Sequence, residues 1–288
     1  MIIAVKTRIN LFRMRNQYKM LVLDMDDTLL TDDHKISERN YEQLMAAQEA
    51  GVKVVLASGR PTPAMTNFAK ALNLPQFNSH IIAYNGGVVM DMGNNEEIFN
   101  QRLTNQQIHD LYSYAHKSAL NIMTYSDSHI ISPSYCEYVK IEENLAQMPV
   151  ELVNDFFELK EFDSPKCIIV GKPEKLQEIK PLLSMAYPDL SVAFSKPFYL
   201  EITPKGIDKA ASLDRLVKKL DITAEEVIAV GNAGNDLSMV EYAGLGVWVD
   251  NVDPELRDRA DVIVASNNDD GVAEVVDRFI LGQLSASK

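Results

Sequence analysis

Asp24-Met25-Asp26-Asp27-Thr28-Leu29 follows directly on a short apolar run, Lys19 to Leu23. Strand side chains alternate and the chain then turns, so Asp24 and Asp26 can both project into one pocket. Two carboxylates there divide labour: one serves as nucleophile or metal ligand, the other as general acid and base. An acidic loop can equally do no more than cap the turn after it. Ala57-Ser58-Gly59-Arg60-Pro61 ends a second apolar run with a hydroxyl, a glycine amide and a guanidinium. Such groups suit phosphate oxygens, although an ordinary strand-to-helix turn has the same composition. Lys205 and Lys209 bracket the start of a late helix, and Gly231-Asn232-Ala233-Gly234-Asn235-Asp236 closes another strand. Each loop alone is a weak signal. Four of them, all at strand ends, jointly point to one anionic ligand held from several sides.

The elements that must position these loops are legible in the hydrophobic pattern. Lys19 to Leu23, Val52 to Ala57 and Ile81 to Tyr84 are short runs of buried-strand type. Ser37 to Ala50 reads as a helix with a serine N-cap and a stop at Gly51, and Pro63 to Leu72 as another. Strands alternating with helices of this length imply right-handed crossovers and a mostly parallel sheet. The same rhythm returns late: a helix over Ile207 to Leu220 with Asp208 as cap, a capping-box sequence at Thr223 to Glu226, and a strand over Val227 to Val230. Asp236 to Tyr242, Gly246 to Val249, Asp261 to Val264 and Gly271 to Leu281 then read helix, strand, strand, helix.

The middle of the chain reads differently. Val88 to Asp91 and Glu97 to Gln101 flank Gly93-Asn94-Asn95, a turn-forming sequence, and helices start near Thr104, Tyr135 and Pro173. Thirteen of the 21 Phe and Tyr residues lie between positions 87 and 199, which indicates an inserted α+β domain with its own core. The expected division is a loosely ordered extension over 1–19, a core over 20–86 and 200–288, and an insert over 87–199.

With these residues in place the chain resembles the haloacid dehalogenase-like phosphohydrolases. The first loop is similar to their D-x-D-x-T signature, and Ser58, Lys209 and the Gly231 loop match the later motifs in order. The insert, with Ala57 to Pro61, Lys209 and Asn235 to Met239, resembles the Cof-type subgroup, whose cap is of type IIB. Ser58 and Lys209 are 151 positions apart, and removing the 113-residue window leaves 38, a sensible length for consecutive core elements. The resemblance covers about Met20 to Leu281. It implies a doubly wound, Rossmann-like α/β core with an α+β cap, and Mg2+-dependent hydrolysis of small phosphate esters.

In that scheme Asp24 is the nucleophile and Asp26 the general acid and base. Ser58 and Lys209 hold the phosphoryl oxygens, with Gly59 and Asn235 as further substrate contacts. Mg2+ falls to the Asp24 carboxylate, the Asp26 carbonyl and the Gly231 loop, where Asn232 and Asp236 are the candidate ligands. Two positions depart from the family pattern. Asp27 stands where glycine is commonest; it is placed at the substrate side of the loop with its carboxylate turned away from the phosphate. Asn232 stands where the family usually has a metal-binding aspartate. An amide oxygen can still coordinate Mg2+, but one full charge is lost, so weaker metal affinity is expected, with Asp236 a recruit. A phosphomutase on the same core and a non-catalytic phospho-ligand sensor are the rival readings.

The remaining composition narrows the partners. The 288 residues carry a net charge of −13, which disfavours a nucleic-acid backbone as the main partner. No apolar run reaches the roughly 18 residues of a membrane span. Two cysteines, Cys136 and Cys167, without C-x-x-C spacing or a secretory signal fit a reducing cytoplasm. The five histidines lack metal-ligand spacing. The expected partner is a small phosphorylated metabolite, bound by a monomer or small homo-oligomer. Met1 to Lys19 is basic and has no acidic residue, and reads as an extension upstream of an alternative start at Met14 or Met20.

Overall fold

A computed structural model describes residues 18–282 of the chain. The expectation for the basic extension falls on 1–17, outside the described residues; Lys19 itself already pairs with the sheet through Glu226 and Lys53.

Chain order runs β1 (Met20–Leu23), α1 (Glu38–Glu49), β2 (Lys53–Ala57), α2 (Thr62–Ala71), β3 (His80–Ala83), β4 (Val88–Asp91) and β5 (Glu96–Asn100). It continues with α3 (Asn105–Lys117), β6 (Asn121–Tyr125), β7 (Ile130–Ser132), α4 (Glu137–Ala146), β8 (Val150–Leu152), β9 (Cys167–Val170) and α5 (Pro173–Ala186). After β10 (Leu190–Lys196) and β11 (Tyr199–Pro204) come α6 (Lys209–Lys219), β12 (Val227–Gly231), α7 (Leu237–Tyr242), β13 (Leu245–Val249), β14 (Val262–Val264) and α8 (Gly271–Val275).

The first sheet has eight strands in the order β14-β13-β12-β1-β2-β3-β4-β5. It is parallel from β14 to β3 and ends in the antiparallel hairpin β4–β5. Along β1 the side chains alternate: Leu21 and Leu23 pack with α1, α2 and α8 on one face, Met20 and Val22 with α6 and α7 on the other. Burial on both faces explains why these strands read as continuous apolar runs, and it makes the core doubly wound as expected.

A second sheet, β10-β11-β9-β6-β7-β8, is antiparallel except for the β7–β8 pair. Its outer face packs on α3 and α5. Its inner face looks onto the core, where Tyr125 meets Tyr84 edge to face at 5.9 Å between ring centroids. Strand pairing moves both expected domain boundaries. The hairpin at Val88 to Asn100 extends the core sheet from β3, and Tyr199–Pro204 pairs with β9 and β10 of the second sheet. The insert's elements therefore span α3 to β11. Local pattern could not reveal this, since a strand's own residues do not say which sheet it joins.

The caps form where their sequences imply. Ser37 accepts from Asn40 N–H at the start of α1, Thr104 and Gln107 form a capping box on α3, and Asp208 accepts from Ala211 N–H on α6. The first two strands of the core and β12 end at one level: Leu23 lies opposite both Leu56 and Val230. The loops that follow, at Asp24, Ser58 and Asn232, thus emerge side by side at the carboxyl edge of the sheet.

Candidate active site

Lys209 is the centre of the arrangement. As the first residue of α6 it sends its ammonium into the protein, 2.6 Å from Asp24 Oδ1 and 2.6 Å from Asp236 Oδ1. All three side chains are buried. Burial alone pulls the Lys209 pKa down, but the Asp236 and Asp24 carboxylates together more than reverse it, so the ammonium stays charged. Asp24 is pushed up to about 7, first by burial and then by Asp236, with Lys209 opposing. Asp236 is fully committed: its second oxygen accepts N–H groups from Asn232 at 3.0 Å and Ala233 at 3.1 Å. It fixes Lys209 and the loop.

Two glycines permit this packing. A Cβ on Gly231 would lie 2.4 Å from Asp236 Cβ, so any larger residue would displace the carboxylate. Gly86 has φ +106° and approaches α6 so closely that a Cβ would sit 2.3 Å from the Asp208 carbonyl oxygen. Ser212 Oγ donates to the Gly86 carbonyl at 2.6 Å, which ties the loop after β3 to the helix that carries Lys209.

The other expected residues line the same cleft, which has a volume of about 620 Å3 and includes Asp24, Asp26, Asp27, Ser58, Gly59, Asn232 and Asn235. Asp26 is gripped by the fork of Arg60, with Nε at 2.9 Å and Nη2 at 2.6 Å. The guanidinium expected to suit phosphate oxygens is therefore engaged by this carboxylate in the present structure. Asp27 is exposed and has φ +57°, the left-handed conformation that favours glycine and tolerates aspartate; its carbonyl accepts from Asn251 at 2.7 Å. Ser58 is buried and its Oγ accepts from Arg60 N–H at 3.1 Å. Asn235 is exposed and donates to Asn85 Oδ1 at 3.3 Å. Lys205 lies away from the cleft, with Nζ on the Pro188 carbonyl at 3.1 Å.

Among the described residues no group of three His, Cys, Asp or Glu side chains is arranged to hold a metal ion. Asn232 Oδ1 points inward and accepts from the buried Thr28 hydroxyl at 3.2 Å, which orients it. With the Asp24 carboxylate and the Asp26 main-chain carbonyl it makes an all-oxygen donor set that fits Mg2+ completed by water.

Several cleft residues lay outside the sequence reading. Glu142 on α4, Lys166 ahead of β9 and Glu201 on β11 line the cleft from the insert, and Asn85 and His34 from the core. Lys166 precedes a buried apolar run, the one signal it carries, and a solvated lysine at a strand start looks the same.

A crevice at the carboxyl edge of a doubly wound sheet, covered by an α+β insert and holding a buried Asp-Lys-Asp cluster, defines a hydrolase of the capped α/β class. The family model described as haloacid dehalogenase-like hydrolase matches residues 21–276, and the chain belongs to that family. It is a phosphoric monoester hydrolase of the Cof-type subgroup. The 5-amino-6-(5-phospho-D-ribitylamino)uracil phosphatase YcsE of Bacillus subtilis is 28% identical over 263 residues, covering 91% of this chain and 96% of its own. A haloacid dehalogenase-like hydrolase from Bacteroides thetaiotaomicron is 38% identical with a TM-score of 0.87, over 91% of this chain and 99% of that one. The HAD subclass IIB sugar phosphatase BT4131 shares the fold, at 24% identity and a TM-score of 0.76, over 91% and 98% of the two chains.

Proposed function

We propose that the protein is a Mg2+-dependent phosphatase of small phosphorylated metabolites that works through an aspartyl-phosphate on Asp24. The observation that carries this reading is the Lys209 ammonium held between Asp24 and Asp236 at 2.6 Å from each, at the edge where the Asp24, Ser58 and Asn232 loops meet. Asp24 attacks phosphorus in line while Asp26 gives its proton to the departing oxygen. Asp26 then takes a proton from the water that cleaves the acyl phosphate. For both steps the Arg60 fork must release Asp26.

Lys209 and Ser58 hold the phosphoryl oxygens, and the fixed Lys209 charge opposes the burial and the Asp236 repulsion that raise the Asp24 pKa. Mg2+, held by Asp24, the Asp26 carbonyl and Asn232, supplies positive charge that offsets repulsion between the carboxylate and the phosphate. The two free thiols, Cys136 and Cys167, accord with a cytoplasmic location. A weakened, phospho-ligand-binding protein is the second reading, favoured only by the single-carboxylate metal set at Asn232.

Phosphate release from p-nitrophenyl phosphate with Mg2+ tests the reading. The expected result is turnover by the parent and background in Asp24→Asn. Equal rates in the two proteins would remove Asp24 as the nucleophile.

A further inference from the structure

A second cavity, of about 450 Å3, lies beside the catalytic cleft and shares no lining residue with it. Both bodies of the fold build it. The core contributes Thr66 and Asn67 on α2 and Val88, Met90 and Glu97 on the β4–β5 hairpin, and the insert contributes Tyr125, Ser126 and Pro165. Arg102, in the first of the two connections between core and insert, completes it. That connection is tied to the second by Gln101 Nε2, which donates to the Lys205 carbonyl at 3.2 Å. An occupant therefore touches both bodies and the hinge between them.

Tyr84 and Tyr125 form the partition between the two cavities. Tyr84, Asn85 and Gly86 all have positive φ, at 53°, 54° and 106°, a costly conformation for a tyrosine. Tyr84 lines the second cavity, Asn85 lines the catalytic cleft, and Gly86 abuts the start of the helix that carries Lys209. Tyr125 lines the second cavity, and its hydroxyl donates at 2.7 Å to Glu142 in the catalytic cleft.

The lining dictates what fits. Tyr84, Val88, Met90, Tyr125 and Pro165 are buried and make an apolar floor with two aromatic rings. Thr66, Asn67, Asn95 and Ser126 surround it with hydroxyls and amides that both donate and accept. The charged members are Glu97, Arg102 and Asp127. Arg102, the one cation among these lining residues, is paired with Glu97, so none is free to hold a phosphate or carboxylate, and Asp127 repels both. A planar, uncharged ring with polar atoms on its edge suits such a site, and the volume is that of a small-molecule pocket.

We propose that this cavity is a regulatory site for an uncharged heteroaromatic compound of the nucleobase or nucleoside class, whose binding restrains the insert. In the arrangement that forms the cavity, Lys166 Nζ of the insert lies 3.4 Å from the Gly59 carbonyl of the core. A ligand held by both bodies stabilises that arrangement and opposes the swing by which a cap admits substrate and releases product. The result is inhibition that added substrate does not relieve.

Adenosine and uridine are the probes, with ribose as the control that lacks the ring. Calorimetry and amide exchange are run on the full-length parent, Asp24→Asn, Asn67→Trp and Met90→Lys, with thermal midpoints alongside. Hydrolysis of p-nitrophenyl phosphate with Mg2+ is followed in parallel. Expected is a single nucleoside site per chain, equal in the parent and Asp24→Asn and indifferent to ribose, with slower exchange in the connections at 101–104 and 205–208. In the parent, kcat should fall about 5-fold or more at saturating nucleoside and stay low at high substrate. Asn67→Trp narrows the mouth, and Met90→Lys, opposite Glu97 across the hairpin, fills the floor; each should weaken binding about 10-fold or more. Asn67 is exposed, so its replacement should leave the thermal midpoint unchanged. No nucleoside binding by the parent, undiminished binding in both cavity variants, unchanged exchange in the connections, or inhibition abolished by excess substrate would overturn the proposal. A parent no faster than Asp24→Asn would overturn the phosphatase reading alone, since binding and exchange decide the site without turnover.

Discussion

Replacing Lys209 by methionine removes the one ammonium that two buried carboxylates share. Side-chain exposure is 0% for Lys209, 6% for Asp24 and 0% for Asp236, so water cannot take over the lost contacts. Breaking a buried ion pair by deleting one partner costs about 3–5 kcal/mol, because the surviving charge is left without compensation. At about 2–4 °C per kcal/mol for a chain of this size class, the thermal midpoint should fall by roughly 6–20 °C. Urea and thermal unfolding in the presence of a chelator measure this apart from any metal contribution. Activity disappears under every account of Lys209 and therefore discriminates nothing.

The decisive comparison is Lys209→Met/Asp236→Asn, which removes one orphaned charge while keeping an oxygen to accept from the Asn232 and Ala233 N–H groups. It should regain at least about 1 kcal/mol over the single variant, since part of the desolvation penalty is gone. A single variant within 1 kcal/mol of the parent, or a double variant less stable than the single, would refute the claim that this cluster is held together by one shared cation.

Asn232→Asp restores a carboxylate beside the proposed Mg2+ site. Unit charges about 4 Å apart are worth roughly 4 kcal/mol at an effective dielectric of 20, an upper bound because Asp24 and Asp26 repel the newcomer. Calorimetry should show Mg2+ binding about 10- to 100-fold tighter, with a lower thermal midpoint in chelator; an unchanged affinity would disprove the metal role of position 232.

His80 is 2% exposed, its Nδ1 has no hydrogen-bond partner among the described residues, and burial, the largest cause, lowers its pKa to about 4. The folded value lies below the unfolded 6.5, so its contribution is full above pH 6.5 and is lost as pH falls toward 4. Between pH 7.5 and pH 5 the parent should lose about 1–2 kcal/mol more than His80→Leu in urea titrations. Gly86→Ala would drive a Cβ into the Asp208 carbonyl oxygen. It should lower stability by about 2 kcal/mol or more and cut phosphate release with it, as the loop after β3 detaches from α6; a silent substitution would sever that link.

Much of the core was legible because its signals are local. The Ser37 and Asp208 caps, the apolar strands and the acidic, serine and glycine loops at their ends depend on residues a few positions apart, where periodicity and capping chemistry operate. The sequence by itself therefore determined a parallel α/β core, an insert, and which loops could converge. Only the tertiary structure decided the pairings of distant chain segments. It assigned Val88 to Asn100 to the core sheet and Tyr199–Pro204 to the insert, set Arg60 on Asp26, and committed Asp236 to Lys209 and the loop amides. It also brought Glu142, Lys166 and Glu201 from three separate elements onto one wall of the cleft. The reason is physical: a strand's partner and a charge's counter-charge are chosen by the free energy of the whole assembled chain, and residue type constrains that choice without making it.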